Sequence, residues 1–195
     1  MNNLTNLNPP AQLMAIEGAT VAAGFTMASD PLTGALLRTL AASKPVGVLL
    51  ELGTGTGVGT AWLLAGMDAG ATLTTVDNNA DMQAIARRHL GHDPRLVFCL
   101  QEGSAFIETM GDQGAQFDLI FADTWPGKYN HLDETFRLIK PGGFYIVDDL
   151  LPQPTWPPGH AQHVTALLAT LERRTDLHLT QLNWATGLLI GTKIA

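Results

Sequence analysis

The sequence predicts an α/β fold with a doubly wound, mainly parallel sheet, and three observations carry this prediction. From Val46 onward, short apolar runs alternate with segments of helical periodicity about ten residues long. A glycine-rich segment follows the first apolar run, where a strand would turn into a helix. The last two strand-like runs are separated only by Ala185 and Thr186. This alternation implies βαβ crossovers, with helices covering both faces of the sheet.

The individual elements follow from the same pattern. Strands are predicted where apolar runs are bounded by turn residues, at 46–52, 71–76, 95–100, 117–122, 144–147, 177–184 and 187–193. Helices are predicted between them at 60–67, 81–90, 104–110, 132–139 and 161–174. The helix 132–139 is expected to stop at Lys140-Pro141-Gly142-Gly143. Because two residues are too few for a parallel crossover, the last two strands are expected to form an antiparallel hairpin.

Two helices rich in Ala and Leu are predicted before the sheet. They span 10–23 and 31–42, and Asp30 or Ser29 is placed to cap the second. A chain of 195 residues is expected to form one domain. We therefore expect residues 1–45 to form a helical lid or packing layer on a core of residues 46–195.

Composition excludes several classes of partner. The formal net charge is −7, and no block of Lys or Arg is present, so a nucleic-acid partner is not expected. Residues 1–10 are polar and lack the features of a secretory signal. The apolar runs are much shorter than the roughly 20 residues of a membrane span. With Cys99 as the single cysteine, a cytoplasmic protein with a small-molecule partner is the expectation.

The strongest chemical signal is the segment Glu51-Leu-Gly-Thr-Gly-Thr-Gly-Val-Gly59. Glycines at a strand-to-helix turn let the backbone approach a bound ligand closely. The dinucleotide pattern G-x-G-x-x-G fails, because Val58 or Thr60 occupies its third glycine position. No Gly-Lys-Ser/Thr follows, so the segment is not a P-loop either.

The second signal is Asp77, which ends the next predicted strand. A carboxylate at that position can accept hydrogen bonds from both hydroxyls of a ribose. The alternative is that Asp77 caps the following helix, for which Asp81 is better placed.

Five motifs in order resemble those of class I S-adenosylmethionine-dependent methyltransferases: 51–59, 75–77, 102–104, 117–123 and 138–143. The segments 25–30 and 123–129 are similar to those of small-molecule O-methyltransferases of the catechol and caffeoyl-CoA type. The resemblance implies a Rossmann-like, seven-stranded sheet with an antiparallel last strand. It also implies transfer of a methyl group from S-adenosylmethionine to a hydroxyl of a small, aromatic acceptor. Such proteins often form dimers, so a homodimer stays open.

The resemblance also implies which residues bind the cofactor. Glu51, Gly53 and Gly55 would line its methionine part, Asp77 would bind its ribose, and Trp125 would pack against it. Ser104 and Ala105 would lie beside the adenine. The full expected set is Glu51, Gly53, Thr54, Gly55, Gly57, Asp77, Asn78, Ser104, Ala105, Asp123 and Trp125.

The relatives of the catechol type hold a divalent cation, and the matching positions here are Asp123, Asp148 and Asp149. Three carboxylates suit Mg²⁺, which would lower the pKa of a bound hydroxyl. Two positions depart from the family: Asp149 replaces an Asn, and Pro126 replaces the Lys that acts as base. Asp123 and Lys128 are the catalytic candidates, Lys128 as a substitute base.

Three hypotheses therefore stay open from the sequence. The first is a methyltransferase that uses Mg²⁺, and the second is a metal-independent methyltransferase for another small molecule. The third is a cofactor-binding module without catalytic activity. His160 and His163 are interpreted as a solvated helix start rather than as metal ligands.

Overall fold

A computed structural model of the chain describes residues 7–154 and 156–194. The helices are α1 (Leu13–Ala22), α2 (Pro31–Ala42), α3 (Val58–Gly66), α4 (Ala80–Leu90), α5 (Gly103–Asp112), α6 (Leu132–Arg137) and α7 (His160–Leu171). The strands are β1 (Val48–Leu52), β2 (Thr72–Asp77), β3 (Leu96–Leu100), β4 (Phe117–Ala122), β5 (Ile139–Val147), β6 (Leu177–Leu182) and β7 (Leu188–Lys193). Residues 1–6 of the predicted domain, together with Thr155 and Ala195, lie outside the described residues.

The described strands form one seven-stranded sheet in the order β3-β2-β1-β4-β5-β7-β6. The pairs from β3 through to β5 are parallel, whereas β7 pairs antiparallel with both β5 and β6. The predicted α/β class and the antiparallel C-terminal hairpin are confirmed. Because β1, β2, β4 and β5 run in the same direction, their carboxyl ends meet at one edge of the sheet, where ligands bind in such folds.

The largest departure from the predicted boundaries lies between α6 and β5. The helix ends at Arg137, and β5 already begins at Ile139, which pairs with Phe117. A register shift follows before Leu119 pairs with Phe144. Gly142 lies within this irregular stretch at a φ of 77°. The Lys-Pro-Gly-Gly segment is therefore a bulged part of the strand rather than a separate turn.

The N-terminal helices form a layer against α3, and Gly34 shows how closely they pack. A Cβ atom at Gly34 would lie 2.3 Å from the ring of Trp62, which is fully buried. The side chain of Asp30 accepts a hydrogen bond from the Leu32 N–H at 2.7 Å, so Asp30 is the cap of α2. Among the described helices, none is long and apolar enough to cross a membrane.

Candidate active site

The glycine-rich loop connects β1 to α3 and contains three residues with left-handed backbone. Gly53, Gly55 and Gly57 have φ angles of 104°, 51° and 94°. A Cβ atom at Gly53 would lie 2.9 Å from the main-chain oxygen of Asp123, and one at Gly57 would lie 2.7 Å from Cβ of Ala86. The absence of a side chain at Gly53 thus lets the loop after β4 pack closely, and the absence of one at Gly57 does the same for helix α4. Gly57 has a packing reason to be glycine that needs no ligand.

The N–H groups at the start of this loop are occupied within the protein. Gly53 and Thr54 both donate to the main-chain oxygen of Val76, at 2.8 and 3.2 Å. Gly55 donates to Oδ2 of Asp77 at 2.7 Å. A pyrophosphate needs free N–H donors at this position, whereas here the N–H of Gly55 already donates to the carboxylate of Asp77. The loop does not offer a cradle for an anion.

Asp77 lies at the carboxyl end of β2 and is partly exposed. Its Oδ1 accepts from the N–H of Asn79 at 2.8 Å, and Oδ2 accepts from Gly55. The cap of α4 is Asn79, whose side chain accepts from the N–H groups of Asp81 and Met82. The capping roles considered for Asp77 and Asp81 are therefore filled by Asn79, and the second lone pair of each Asp77 oxygen stays available.

Glu51 is buried beneath the loop rather than exposed in it. Its Oε2 accepts hydrogen bonds from the hydroxyls of Thr60 and Thr75, at 2.5 and 2.6 Å. Burial raises the pKa of Glu51 to about 7, and repulsion from Asp77 adds to this, although the two hydroxyls oppose it. A Cβ atom at Gly59 would lie 2.6 Å from Oε1, so the start of α3 covers the carboxyl group.

A chain of hydrogen bonds extends from Glu51 to helix α4. Thr75 donates to Glu51, so the contact of 2.7 Å between the hydroxyls of Thr54 and Thr75 has Thr54 as donor. The side-chain amide of Gln83 donates to Thr54 at 3.2 Å. Gln83 was missed in the sequence, because a polar residue on an amphipathic helix is normally assigned to the solvent face.

The predicted adenine residues lie at the start of α5. Asn78 donates from Nδ2 to Oε1 of Glu102 at 2.7 Å, which joins the end of β2 to this helix. Ser104 is partly buried and Ala105 is exposed. A Cβ atom at Gly103 would lie 3.1 Å from Pro126, so the loop after β4 packs against the same helix start.

Segment 25–30, between α1 and α2, covers the glycine loop from above. The ring of Phe25 lies 3.2 Å from the ideal Cβ position of Gly55. The hydroxyl of Ser29 donates to Oδ2 of Asp123 at 3.3 Å. Thr20 of α1 also donates to the Thr56 hydroxyl at 2.7 Å. The N-terminal layer therefore contacts the site directly, as a lid would.

Asp123 and Asp148 form a carboxyl pair where β4 and β5 end. Burial raises the pKa of both groups, and mutual repulsion raises that of Asp123 further. The two carboxyl groups are close enough to interact, since the charge of Asp148 helps to raise the pKa of Asp123. Asp148 is 3% exposed, and the hydroxyl of Thr186 donates to its Oδ2 at 3.3 Å. Asp123 is the more accessible member of the pair.

Lys128 is buried beside this pair, with 4% of its surface exposed. Its Nζ donates to the main-chain oxygen of Asp148 at 2.6 Å, and its charge counteracts the rise in pKa of both carboxyl groups. A Lys in a loop is usually solvated. The sequence therefore gave no sign that this one would be enclosed.

The carboxylate of Asp149, by contrast, is held by another partner. Its backbone has a φ of 58°, and its Oδ2 accepts from Nε1 of Trp156 at 3.0 Å. Within 7–154 and 156–194, no group of three or more His, Cys, Asp or Glu side chains is arranged to hold a metal ion. The donor set predicted from Asp123, Asp148 and Asp149 does not fit a divalent cation in this arrangement.

Aromatic and imidazole rings surround the mouth of the site. Trp125 is 46% exposed, and its ring centroid lies 4.7 Å from that of His163 and 5.1 Å from that of Tyr129. The hydroxyl of Tyr129 lies 3.0 Å from Nε2 of His160. Trp156 also packs on His160, with 4.6 Å between the centroids of the two rings. His160 is only 8% exposed, so the expectation of a solvated position is wrong for it.

Comparison with known proteins identifies the family. A family described as a methyltransferase domain matches residues 50–150. The chain is 34% identical over 143 residues to a Mycolicibacterium vanbaalenii protein whose name assigns it provisionally to the O-methyltransferases. That match covers 67% of this chain and 62% of the relative, so it spans less than two thirds of the relative's length.

Solved structures show the same fold. The chain is similar to the O-methyltransferase TomG from Streptomyces achromogenes in complex with SAM, with a TM-score of 0.84 and 21% identity over 98% of this chain and 93% of that one. It is also similar to the O-methyltransferase from Bacillus cereus in complex with SAH, with a TM-score of 0.84 and 18% identity over 97% and 93%. The resemblance found in the motifs is confirmed by the family match. The chain belongs to the family of methyltransferase domains.

Proposed function

We propose that this chain transfers the methyl group of S-adenosylmethionine to a hydroxyl of a small acceptor. The observation that carries the proposal is the glycine loop with its N–H groups occupied. Because Val76 and Asp77 accept those hydrogen bonds, the loop disfavours the pyrophosphate of a dinucleotide. A carboxylate at the loop favours a cofactor with positive charge, which S-adenosylmethionine carries on its sulfonium and amino groups.

The residues present fit this cofactor. Asp77 has lone pairs free for two ribose hydroxyls, and the left-handed Gly53 and Gly55 allow close approach of the ligand. Asn78, Ser104 and Ala105 are proposed to border the adenine, since they lie at the end of β2 and the start of α5. Thr54 and Glu51 are proposed to hold the loop from below through the chain of hydroxyls.

When bound, the cofactor supplies a methyl group on a sulfonium, which an oxygen nucleophile can attack in line. The acceptor oxygen forms the new C–O bond as the S–C bond breaks, and the bonding pair goes to sulfur. The hydroxyl proton passes to the Asp123–Asp148 pair through Asp123, because that member is the more accessible. The main chain of Asp123 lies beside the glycine loop, because a Cβ atom at Gly53 would lie 2.9 Å from its main-chain oxygen.

The acceptor is proposed to be flat and aromatic. Trp125 presents an exposed indole two residues after Asp123, and Tyr129 and His163 pack on it. Rings arranged edge to face hold one another at fixed angles and leave a planar wall. We propose that a hydroxylated aromatic acceptor rests on Trp125 with its hydroxyl near Asp123.

The experiment that tests this proposal is calorimetric titration with S-adenosylhomocysteine, with NAD as the control ligand in the same buffer. We expect binding of S-adenosylhomocysteine alone. Binding of NAD instead would overturn the assignment of the cofactor. A protein that binds S-adenosylhomocysteine but methylates no member of a panel of hydroxylated aromatic compounds would be a binding module without catalytic activity.

A further inference from the structure

We propose that the ammonium group of Lys128 takes the place of a divalent cation, so that the acceptor hydroxyl is held without a metal ion. The inference rests on the proposed function, since it assigns the charge that faces the acceptor in that site. Two features of the described residues support this role: the position of the Lys128 ammonium and the hydrogen bonds already made by the three aspartates.

The ammonium lies between the ends of two strands. Lys128 is 4% exposed, and its Nζ is fixed 2.6 Å from the main-chain oxygen of Asp148, at the end of β5. Asp123 follows β4, and the positive charge of Lys128 acts to lower the pKa of its carboxyl group. A buried ammonium is stable only when opposite charge and acceptors compensate its lost hydration. The Asp123–Asp148 pair supplies that charge.

The loop that carries Lys128 directs it inward. Gly127 has a φ of 86°, and a Cβ atom there would lie 2.5 Å from the side chain of Leu52. The main-chain oxygen of Gly127 accepts from the hydroxyl of Tyr145 at 2.7 Å. The N–H groups of Lys128 and Tyr129 both return to the oxygen of Trp125. Lys128 is therefore held in place by a tight turn against the sheet.

Each of the three aspartates already accepts a hydrogen bond on one carboxylate oxygen, which leaves fewer free lone pairs for a cation. A hard divalent cation takes about six oxygen ligands. Asp149 accepts from Trp156, and Asp148 accepts from Thr186. Asp123 accepts from Ser29. A second cation would also be repelled by the adjacent ammonium.

The ammonium has a chemical consequence for the acceptor. An ammonium has three N–H donors, and one of them is used by Asp148. The others can donate to a single acceptor oxygen, whereas a divalent cation chelates two neighbouring oxygens. A site built on Lys128 accordingly accepts compounds with one hydroxyl and does not require two adjacent ones.

The test is a titration of the protein with Mn²⁺, which is read by calorimetry and by electron paramagnetic resonance, in the presence of S-adenosylhomocysteine. The wild-type chain is expected to bind no Mn²⁺ at the site. The variant Lys128→Met removes the charge and keeps the apolar stem, and its affinity for Mn²⁺ is expected to rise by about tenfold or more because the repulsion is gone. Lys128→Arg should exclude the ion as wild type does.

The matched control is Lys140→Met, because Lys140 pairs with Asp118 away from the site. It should leave Mn²⁺ binding as in wild type. Stoichiometric Mn²⁺ binding by the wild-type protein that Asp123→Asn abolishes would overturn the inference, whether or not the Lys128 variant folds. A folded Lys128→Met protein that gains no affinity would overturn it as well. Binding of S-adenosylhomocysteine, measured in parallel, reports the proposed function separately.

Discussion

Glu51 and Thr75 are register partners on the parallel strands β1 and β2, and the hydroxyl of Thr75 donates to the carboxyl group of Glu51 at 2.6 Å. The pairing places an ionisable group inside the sheet, directly below the loop that we propose holds the cofactor. Polar groups buried this deeply are costly unless they are hydrogen-bonded. The protonation state of Glu51 therefore affects both the stability of the fold and the site.

Replacing Glu51 should change how stability depends on pH. The folded-state pKa is raised to about 7 from an ordinary value of 4.5. The folded state therefore holds its proton more tightly than the unfolded state, and stability falls as the pH rises through this window. The shift corresponds to a loss of about 3 kcal/mol in the free energy of unfolding. We expect the free energy of unfolding of Glu51→Gln, measured with urea, not to show that loss between pH 5 and pH 8. The exposed Glu17→Gln is the control and should keep the wild-type dependence.

Asp77→Asn should weaken the binding of S-adenosylhomocysteine. The substitution removes the charge from the hydrogen bonds proposed to the ribose, which costs about 1.5 to 3 kcal/mol. That loss corresponds to an increase in Kd of roughly 10-fold to 100-fold. Calorimetry measures it directly, with Asp81→Asn on the exposed face of α4 as the matched control. An unchanged Kd for Asp77→Asn would contradict the ribose assignment.

Asp123→Asn should reduce methyl transfer while S-adenosylhomocysteine still binds. The variant keeps the size of the side chain and removes the group proposed to receive the hydroxyl proton, a loss of about 100-fold or more in turnover. Transfer of label from methyl-labelled cofactor to hydroxylated aromatic compounds gives the rate. Asp112→Asn, at the exposed end of α5, serves as the control. Full turnover in Asp123→Asn would rule out Asp123 as the proton acceptor.

Gly57→Ala should destabilise the fold by about 1 to 3 kcal/mol, because overpacking and a left-handed backbone both oppose the new methyl group. The added Cβ would lie 2.7 Å from that of Ala86, at a φ of 94°. Gly111→Ala is the control, since nothing lies within 4 Å of its Cβ position. A helical Gly→Ala change there should be neutral or stabilising. Thermal unfolding followed by circular dichroism compares the two, and equal melting temperatures would contradict the packing role of Gly57.

Local pattern was sufficient to predict the sheet and the hairpin, because strands and helices differ in hydrophobic period and short loops restrict topology. It also located the glycine loop and Asp77. The enclosed position of Lys128 could not be predicted, since it depends on the close packing of Gly127 against Leu52, which lies on strand β1 and is distant in sequence. The network of Thr54, Thr75 and Gln83 joins residues from three elements, and their partners are distant in sequence. His160 looked solvated because Trp156 and Tyr129 approach it only in the folded chain.

The position of β7 between β5 and β6 also governs the order in which the sheet can be completed. During synthesis β6 leaves the ribosome before β7, yet it has no neighbour to pair with until β7 has also been made. The edge of β5 is thus unprotected for the same interval, and unpaired strand edges promote association between nascent chains. This half of the sheet must therefore be completed as one late event, in which the two strands add together.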